Sequence, residues 1–286
     1  MSAVVAESLR KVYDVRGADG RSRPFVAVAG ASFTVAPGGS LGIVGESGSG
    51  KTTLARMLAG LEPPSGGLLT VCGRERGRAA PGGAERRRRA RELQIVFQDP
   101  YTSLNPRHTV GTCIDEVLRV HLDDPTRERR AARTAELLAR VGLDERHAGA
   151  RPRALSGGQR QRVAIARALA ASPEVIVLDE AVSALDVSIQ AQILDLLDEI
   201  RAQSGTTYLF ISHDLGVVRQ VTDDVIVMRG GEIVERGATA AVLDDPQHPY
   251  TQLLRRSVPG PGWRPQRRAP GHVAATNERG DHGWDG

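Results

Sequence analysis

Cysteine is almost missing from this chain of 286 residues, which carries only Cys72 and Cys113. Two thiols at no metal-ligand spacing exclude a disulfide scaffold and a cysteine-rich zinc or iron–sulfur site, and they suit a reducing compartment. Aromatic residues are equally sparse, at 3%, which removes most of the flat surfaces on which unpaired bases stack. Long apolar runs are lacking as well. Stretches such as Val175 to Leu178 fall far short of the roughly eighteen residues that a membrane-spanning helix needs, so a transmembrane chain is excluded. Met1 to Ala6 has no basic segment followed by an apolar one, and no secretory leader is expected there. Lysine is the last scarcity: Lys11 and Lys51 are the only two, leaving 36 arginines.

With 40% hydrophobic and 25% charged residues, the chain has the composition of a soluble globular protein. Its length fits one large domain, or a domain with an extension. The net charge of +4 is local. Arg74 to Arg91 holds eight Arg and two Glu, a net of +6, so the rest of the chain sums to −2. With Gly-rich Ala79 to Ala84 and the run Arg86 to Arg89, this segment reads as a solvated surface loop leading into a helix; contact with acidic lipid headgroups or an acidic partner is the alternative. Base recognition has little support, because neither interleaved aromatics nor a nucleic-acid motif accompanies the charge.

Short β-rich runs and turns dominate the N-terminal part. Val4 to Tyr13, Ala31 to Ala36 and Ser40 to Val44 are predicted strands, with Pro37-Gly38-Gly39 as a turn. A helix follows over Lys51 to Ala59, closed by Gly60, and Leu68 to Val71 resumes strand character. Thr109 to Val141 and Arg160 to Ala170 have helical spacing, the second stopped by Ser172-Pro173. A strand (Val175 to Leu178), a helix (Ser188 to Ala202), a strand (Thr207 to Ile211) and a Gly-Gly hairpin in Val225 to Glu235 complete the pattern. Strands alternating with helices imply an α/β fold with a parallel sheet, an antiparallel N-terminal portion and a mainly helical insert. The Pro-, Gly- and Arg-rich tail has almost no aliphatic residues and is expected to be disordered over 261–286.

Gly45-Glu46-Ser47-Gly48-Ser49-Gly50-Lys51-Thr52 fits the phosphate-loop pattern, and its place between a strand and a helix is the context that pattern requires. Glycines let backbone N–H groups turn inward onto phosphate oxygens, and the helix starting at Lys51 adds the positive end of its dipole. Lys51 reaches the β and γ phosphates, and Thr52 offers a hydroxyl to Mg²⁺. Arginine would substitute poorly at position 51, since its planar fork does not fit where a compact ammonium enters a ring of amides. Val175 to Leu178 then runs into Asp179 and Glu180. At the carboxyl end of a parallel strand Asp179 faces the phosphate loop and holds Mg²⁺, directly or through water, while Glu180 polarises a water for in-line attack on the γ-phosphate. Leu155-Ser156-Gly157-Gly158-Gln159 places small residues and a hydroxyl at another helix N-terminus, a second anion site that one chain does not easily fold around the same γ-phosphate.

At these residues the chain resembles the ATP-binding cassette (ABC) family, whose signature is Leu-Ser-Gly-Gly-Gln. The other elements of the family follow in order. Gln98 in Val96-Phe97-Gln98-Asp99-Pro100 resembles the Q-loop, Ser183-Ala184-Leu185-Asp186 the D-loop, and His213 in Ile211-Ser212-His213-Asp214 the switch histidine. Tyr13 resembles the aromatic that stacks on adenine, with Phe25 as its competitor. The resemblance implies a P-loop NTPase fold with antiparallel β and helical subdomains: an ATP-binding domain over 1–245 with the helical part at about 99–170, and an extension over 246–260. It implies ATP and Mg²⁺ as cofactors, with Gly45 through Lys51, Thr52 and Thr53 around the phosphates. Thr52, Gln98 and Asp179 surround the ion. Glu180 is general base, His213 γ-phosphate sensor, and Gln98 the link to the membrane subunits. A head-to-tail dimer is also implied, in which Ser156, Gly157, Gly158, Gln159 and Asp186 act on the nucleotide of the other chain.

Phe97 to Arg107 and Pro246-Gln247-His248-Pro249-Tyr250-Thr251 look like the oligopeptide/dipeptide/nickel uptake branch; the second motif also reads as a capping turn before a helix Gln252 to Arg256. The expected partners are two transmembrane permease subunits, a paralogous ATPase or a second copy of this chain, and, indirectly, a solute-binding protein outside the membrane; no nucleic acid is expected. The expected location is the cytoplasmic face of the membrane. A non-transport cassette ATPase acting on nucleic acid or the ribosome is the competing reading. Two positions depart from the branch: Ala181 where proline is usual, and Ser40 where an acid is common.

Overall fold

The structure is a computed structural model and describes residues 2–16, 20–77, 82–99, 103–122 and 126–257. The predicted disorder at 261–286 and residues 79–81, the first part of the Gly-rich stretch 79–84, lie outside that range. The chain opens with two long strands, β1 (Val4–Arg16) and β2 (Ser22–Val35), paired antiparallel, and continues through β3 (Ser40–Val44) to α1 (Lys51–Leu58). Strands β4 (Gly66–Val71) and β5 (Arg74–Glu75) complete a four-stranded antiparallel sheet of order β2-β1-β4-β5.

After α2 (Gly83–Glu92) and β6 (Leu93–Val96) comes the mainly helical insert: α3 (Val110–His121), α4 (Arg127–Arg140) and two short 3₁₀ turns, Glu145–Gly149 and Pro152–Ala154. Helix α5 (Gly157–Leu169) returns the chain to the sheet at β7 (Val175–Asp179), followed by α6 (Val187–Ser204) and β8 (Thr207–Ile211). Helix α7 (Leu215–Val221) precedes the hairpin of β9 (Asp224–Arg229) and β10 (Glu232–Ala238), and α8 (Thr239–Asp244) and α9 (Pro249–Arg256) close the described chain. The second sheet has the order β10-β9-β3-β8-β7-β6, all parallel except the edge strand β10.

Burial explains why the central strands read as unbroken apolar runs. Strands β3, β7 and β8 are buried at every residue, because helices cover one face of the sheet and the antiparallel sheet with α1 covers the other. Two expectations needed adjustment. Strand β2 starts at Ser22, well before Ala31, because the chain pairs with β1 from Arg16↔Ser22 onward, with its first four residues exposed. The helical pattern from Thr109 to Val141 is two helices. Thr109 and Thr126 each cap one, their hydroxyls accepting from Thr112 N–H and Arg129 N–H.

The basic segment leads into a helix as expected, but not all of its arginines are solvated. Arg86 to Arg89 lie on α2, and Arg76 is buried against the buried carboxylate of Glu92 at the end of that helix. Burial lowers the Arg76 pKa and the Glu92 charge opposes the drop, so the pair pins the basic helix to the antiparallel sheet.

Gly42 sits in β3 where α7 crosses. A Cβ there would stand 2.4 Å from Val218 Cγ1. Gly42→Ala is therefore expected to cost about 1–3 kcal/mol of stability through overpacking, read as a lower urea midpoint with an unchanged slope.

Candidate functional site

At Val44 the buried strand β3 ends and the chain turns into Gly45–Thr52. Gly45 and Gly50 have φ of 152° and 104°, a backbone region that side chains rarely adopt. Space is closed there too: a Cβ on Gly45 would lie 2.2 Å from the Met228 carbonyl oxygen, and one on Gly50 2.4 Å from that of Ala27. The outer wall of the loop is thus main chain of β2 and β9, and Gly231 N–H adds a 3.1 Å bond to Ser49 O. At Gly48 nothing lies within 4 Å, and Glu46, Ser47 and Thr52 are exposed. Helix α1 begins without a side-chain cap or an acid in its first turn. Its N-terminal N–H groups and dipole are left for an anion.

Lys51 is 5% exposed, and its ammonium donates to the carbonyls of Gly45 (2.8 Å) and Glu46 (2.9 Å). Burial lowers its pKa, while the charges of Glu180 and Asp179 oppose the drop. Those acids end and follow β7. Burial, with Glu180 adding to it, pushes the Asp179 pKa up to about 6. Two buried oxygens of the site, Ser49 Oγ and Asp179 Oδ1, have no hydrogen-bond partner. Unmet buried polar atoms are costly and point to a polar ligand.

Glu180 adopts a left-handed φ of 50° and ties its N–H to Ile211 O at the end of β8 (2.9 Å). That turn separates the two neighbouring carboxylates. Glu180 Oε1 stands 3.4 Å from His213 Nδ1, just past β8. Gln98, just past β6, donates to Ser183 Oγ (3.2 Å), which donates to the Glu180 carbonyl (2.9 Å). The carboxyl ends of four neighbouring parallel strands therefore carry the phosphate loop, His213, the two acids and Gln98, the place where open α/β sheets bind ligands.

The second anion-site candidate is built elsewhere. Ser156 caps α5 and exchanges a reciprocal capping box with Gln159, at 3.2 and 2.9 Å. Gly158 packs so closely on α6 that a Cβ would meet Ile189 Cγ2 at 2.5 Å, and Gly157 faces Leu185. Asp186 begins α6 without a side-chain capping bond and is exposed, as is Ser156; beside Asp186, Val187 is 84% exposed. Tyr13 is half-buried with the Lys11 ammonium 4.9 Å from its ring centroid, and it sits directly opposite Phe25, which is 54% exposed. Thr53 is half-buried in the first turn of α1.

Sequence reasoning passed over three contacts. Ser183 bridges Gln98 to the Glu180 main chain, His147 Nε2 lies 3.4 Å from Gln159 Nε2, and Tyr250 accepts the Glu46 N–H at 3.0 Å. Ser183 was visible within the D-loop-like run. Nothing local marks the other two, since Tyr250 lies 204 residues from Glu46.

A phosphate loop on β3 facing acids at the end of β7 defines a P-loop nucleotide-binding cassette. The profile described as ABC transporter matches residues 28–183, and that of the oligopeptide/dipeptide transporter C-terminal region matches residues 234–283. A putative peptide import ATP-binding protein of Brucella abortus (strain 2308) is 49% identical over 252 residues, 87% of this chain and 73% of that protein. The glutathione import ATP-binding protein GsiA of Shigella flexneri serotype 5b (strain 8401) is 48% identical over 90% of this chain, which spans only 40% of that relative's length. Among solved structures, a dimeric ATP-binding cassette in a post-hydrolysis state, bound to ADP and phosphate, has a TM-score of 0.72 and 28% identity, covering 82% of this chain and 98% of that one. The structure of cbiO1 from Clostridium perfringens, part of the ABC transporter complex cbiONQ, has a TM-score of 0.73 and 27% identity over 85% and 91%. The chain belongs to the ABC transporter family, and its fold is the α/β fold of these cassettes.

The raised Asp179 pKa has a stability consequence. The folded chain holds that proton to about pH 6, whereas an unfolded aspartate releases it near 3.9. Stability from this group is full below the unfolded value and is lost as pH rises through the folded one. In the nucleotide-free protein Asp179→Asn is expected to raise thermal stability at pH 7, by about 1–3 kcal/mol, and to have little effect at pH 3.5. Melting curves at the two pH values check this.

Proposed function

We propose that this chain is the ATP-binding and ATP-hydrolysing subunit of an ABC importer for oligopeptides, dipeptides or a related small solute. The observation that carries it is the buried Lys51 ammonium, closed by two loop carbonyls at an uncapped helix end and electrostatically coupled to Asp179 and Glu180. In this reading Gly45, Glu46, Ser47, Gly48, Ser49, Gly50, Lys51, Thr52 and Thr53 surround the phosphates, and Lys51 exchanges its carbonyl partners for phosphate oxygens. Glu180 takes the proton of the attacking water, with His213 at 3.4 Å orienting it and sensing the γ-phosphate. Tyr13 stacks on adenine.

Thr52 hydroxyl, Asp179 carboxylate and Gln98 amide oxygen form a hard-oxygen donor set of the kind Mg²⁺ takes. The orphaned Asp179 Oδ1 fits it. When bound, the ion neutralises charge on the phosphate oxygens.

Ser156, Gly157, Gly158, Gln159 and Asp186 serve the nucleotide of a second cassette, either a paralogue or another copy of this chain, in a head-to-tail dimer. The exposure of Ser156 and Asp186 supports this, as does the dimeric form of a similar cassette. Two permease subunits carry the solute that an external binding protein delivers, and the chain sits peripherally at the cytoplasmic face of the membrane. No helix among the described residues is long and apolar enough to cross a bilayer. The cassette spans 1–245 with its helical part at about 99–170, followed by the 246–260 extension. The matched C-terminal region and the peptide and glutathione import relatives favour an importer over a non-transport cassette.

Glu180→Gln is expected to lower the rate of phosphate release about 10²–10⁴-fold while ATP stays bound, measured by single-turnover hydrolysis and filter binding. Unchanged hydrolysis would sink the assigned base. In vesicles reconstituted with its permease subunits, Gln98→Ala is expected to reduce solute uptake more than ATP affinity. A defect confined to affinity would count against the linking role.

A further inference from the structure

Most of the phosphate loop's outer wall is main chain, but one side chain from the far end of the sequence reaches it. Tyr250, on the first turn of α9, accepts the Glu46 N–H on its hydroxyl at 3.0 Å. Its ring is 4% exposed, packs in one cluster with Val44, Val227, Val242 and Leu243, and carries the Arg229 guanidinium 4.9 Å from its centroid. Val44 is the last residue before the loop, so ring and hydroxyl hold successive points of the same segment.

Helix α9 is itself firmly seated. His248 Nδ1 accepts from Tyr250 N–H, and the Glu235 carboxylate on β10 accepts from the N–H groups of Gln247 (2.7 Å) and His248 (3.2 Å). A continuous path therefore runs from β10 through the turn before α9 to the Glu46 peptide.

We propose that Tyr250 is a positioning residue for the phosphate loop, and that through it nucleotide occupancy and the docking of α9 control one another. The inference rests on the nucleotide-binding reading above. The Glu46 N–H is bonded to Tyr250, so its value to the site is to fix the orientation of the Gly45–Glu46 peptide and with it the curl of the loop. Losing the hydroxyl takes away the acceptor of that N–H and frees the loop to sample other peptide orientations. Coupling of this kind is reciprocal: whatever factor α9 docking adds to nucleotide affinity, nucleotide adds to α9 docking.

The test compares the full chain with Tyr250→Phe, which keeps the ring and its stacking and removes only the hydroxyl. Calorimetric titration with MgADP is expected to show affinity about 3- to 10-fold weaker in the variant, the worth of one hydrogen bond. Hydrogen exchange on the unaltered chain is expected to show amides 250–256 slowed by MgADP, an effect absent in the variant. Unchanged affinity in Tyr250→Phe, even with a lower melting temperature, means a structural role and overturns the proposal. So does α9 exchange indifferent to MgADP in the unaltered chain, a measurement that decides the matter even if the variant does not fold. Failure of the underlying reading looks different: the unaltered chain would then bind no MgADP at all.

Discussion

A single buried ammonium constrains the arrangement around it. Lys51 gives up most of its hydration and recovers only two carbonyl hydrogen bonds and the attraction of two carboxylates. Buried charge is tolerated when it is paired and hydrogen-bonded, so the loop must curl until the oxygens of Gly45 and Glu46 face inward. That curl demands glycine at 45 and 50, where φ is positive and main chain stands within 2.4 Å of any added carbon. It also demands negative charge nearby, which β7 supplies at its end. Burial, with the neighbouring Glu180 charge adding to it, leaves the ionised Asp179 carboxylate disfavoured in the absence of a ligand.

The parallel sheet turns these local demands into one site. Strands β3, β8, β7 and β6 are neighbours and point the same way, so their carboxyl ends deliver the loop, His213, the acids and Gln98 to one edge. Hydrogen bonds then bind the separate segments: Gln98 to Ser183, Ser183 to the Glu180 carbonyl, and the Glu180 N–H to Ile211. The segment after β6 is thus tied through Ser183 to the main chain that carries Glu180. The capping box of α5 faces a different neighbour, α6, which leaves Ser156 and Asp186 at the surface.

Much of this was legible residue by residue. The loop pattern between strand and helix, the apolar run ending in two acids, and the Gly-Gly hairpin each depend on neighbours in the chain, and each stands where expected. The misread parts depend on distant partners. Ser22 to Gly30 precede the strand expected from Ala31 and join it by pairing with β1. Arg76 belongs to a run that reads as solvated, yet Glu92 takes it into the interior. Tyr250 reads as part of a capping turn before a helix at Gln252, but the helix already begins at Pro249 with His248 as its cap, and Tyr250 lies in its first turn. Its second partner, the peptide of Glu46, has no trace in local pattern.

The sequence by itself determined the α/β alternation, the phosphate loop, the acid pair and the family to which the chain belongs. These rest on short-range rules: glycine where the backbone must turn tightly, a compact ammonium in place of arginine, apolar runs where both faces of a strand are covered. Tertiary structure alone decided which residues meet across the fold. It set Tyr13 opposite Phe25, drew Gln98 to Ser183, buried Arg76 on Glu92, and brought the hydroxyl of Tyr250 to the loop. The physical reason is that burial and hydrogen bonding are satisfied by whatever partner packing supplies, and sheet order brings together segments that the chain keeps far apart.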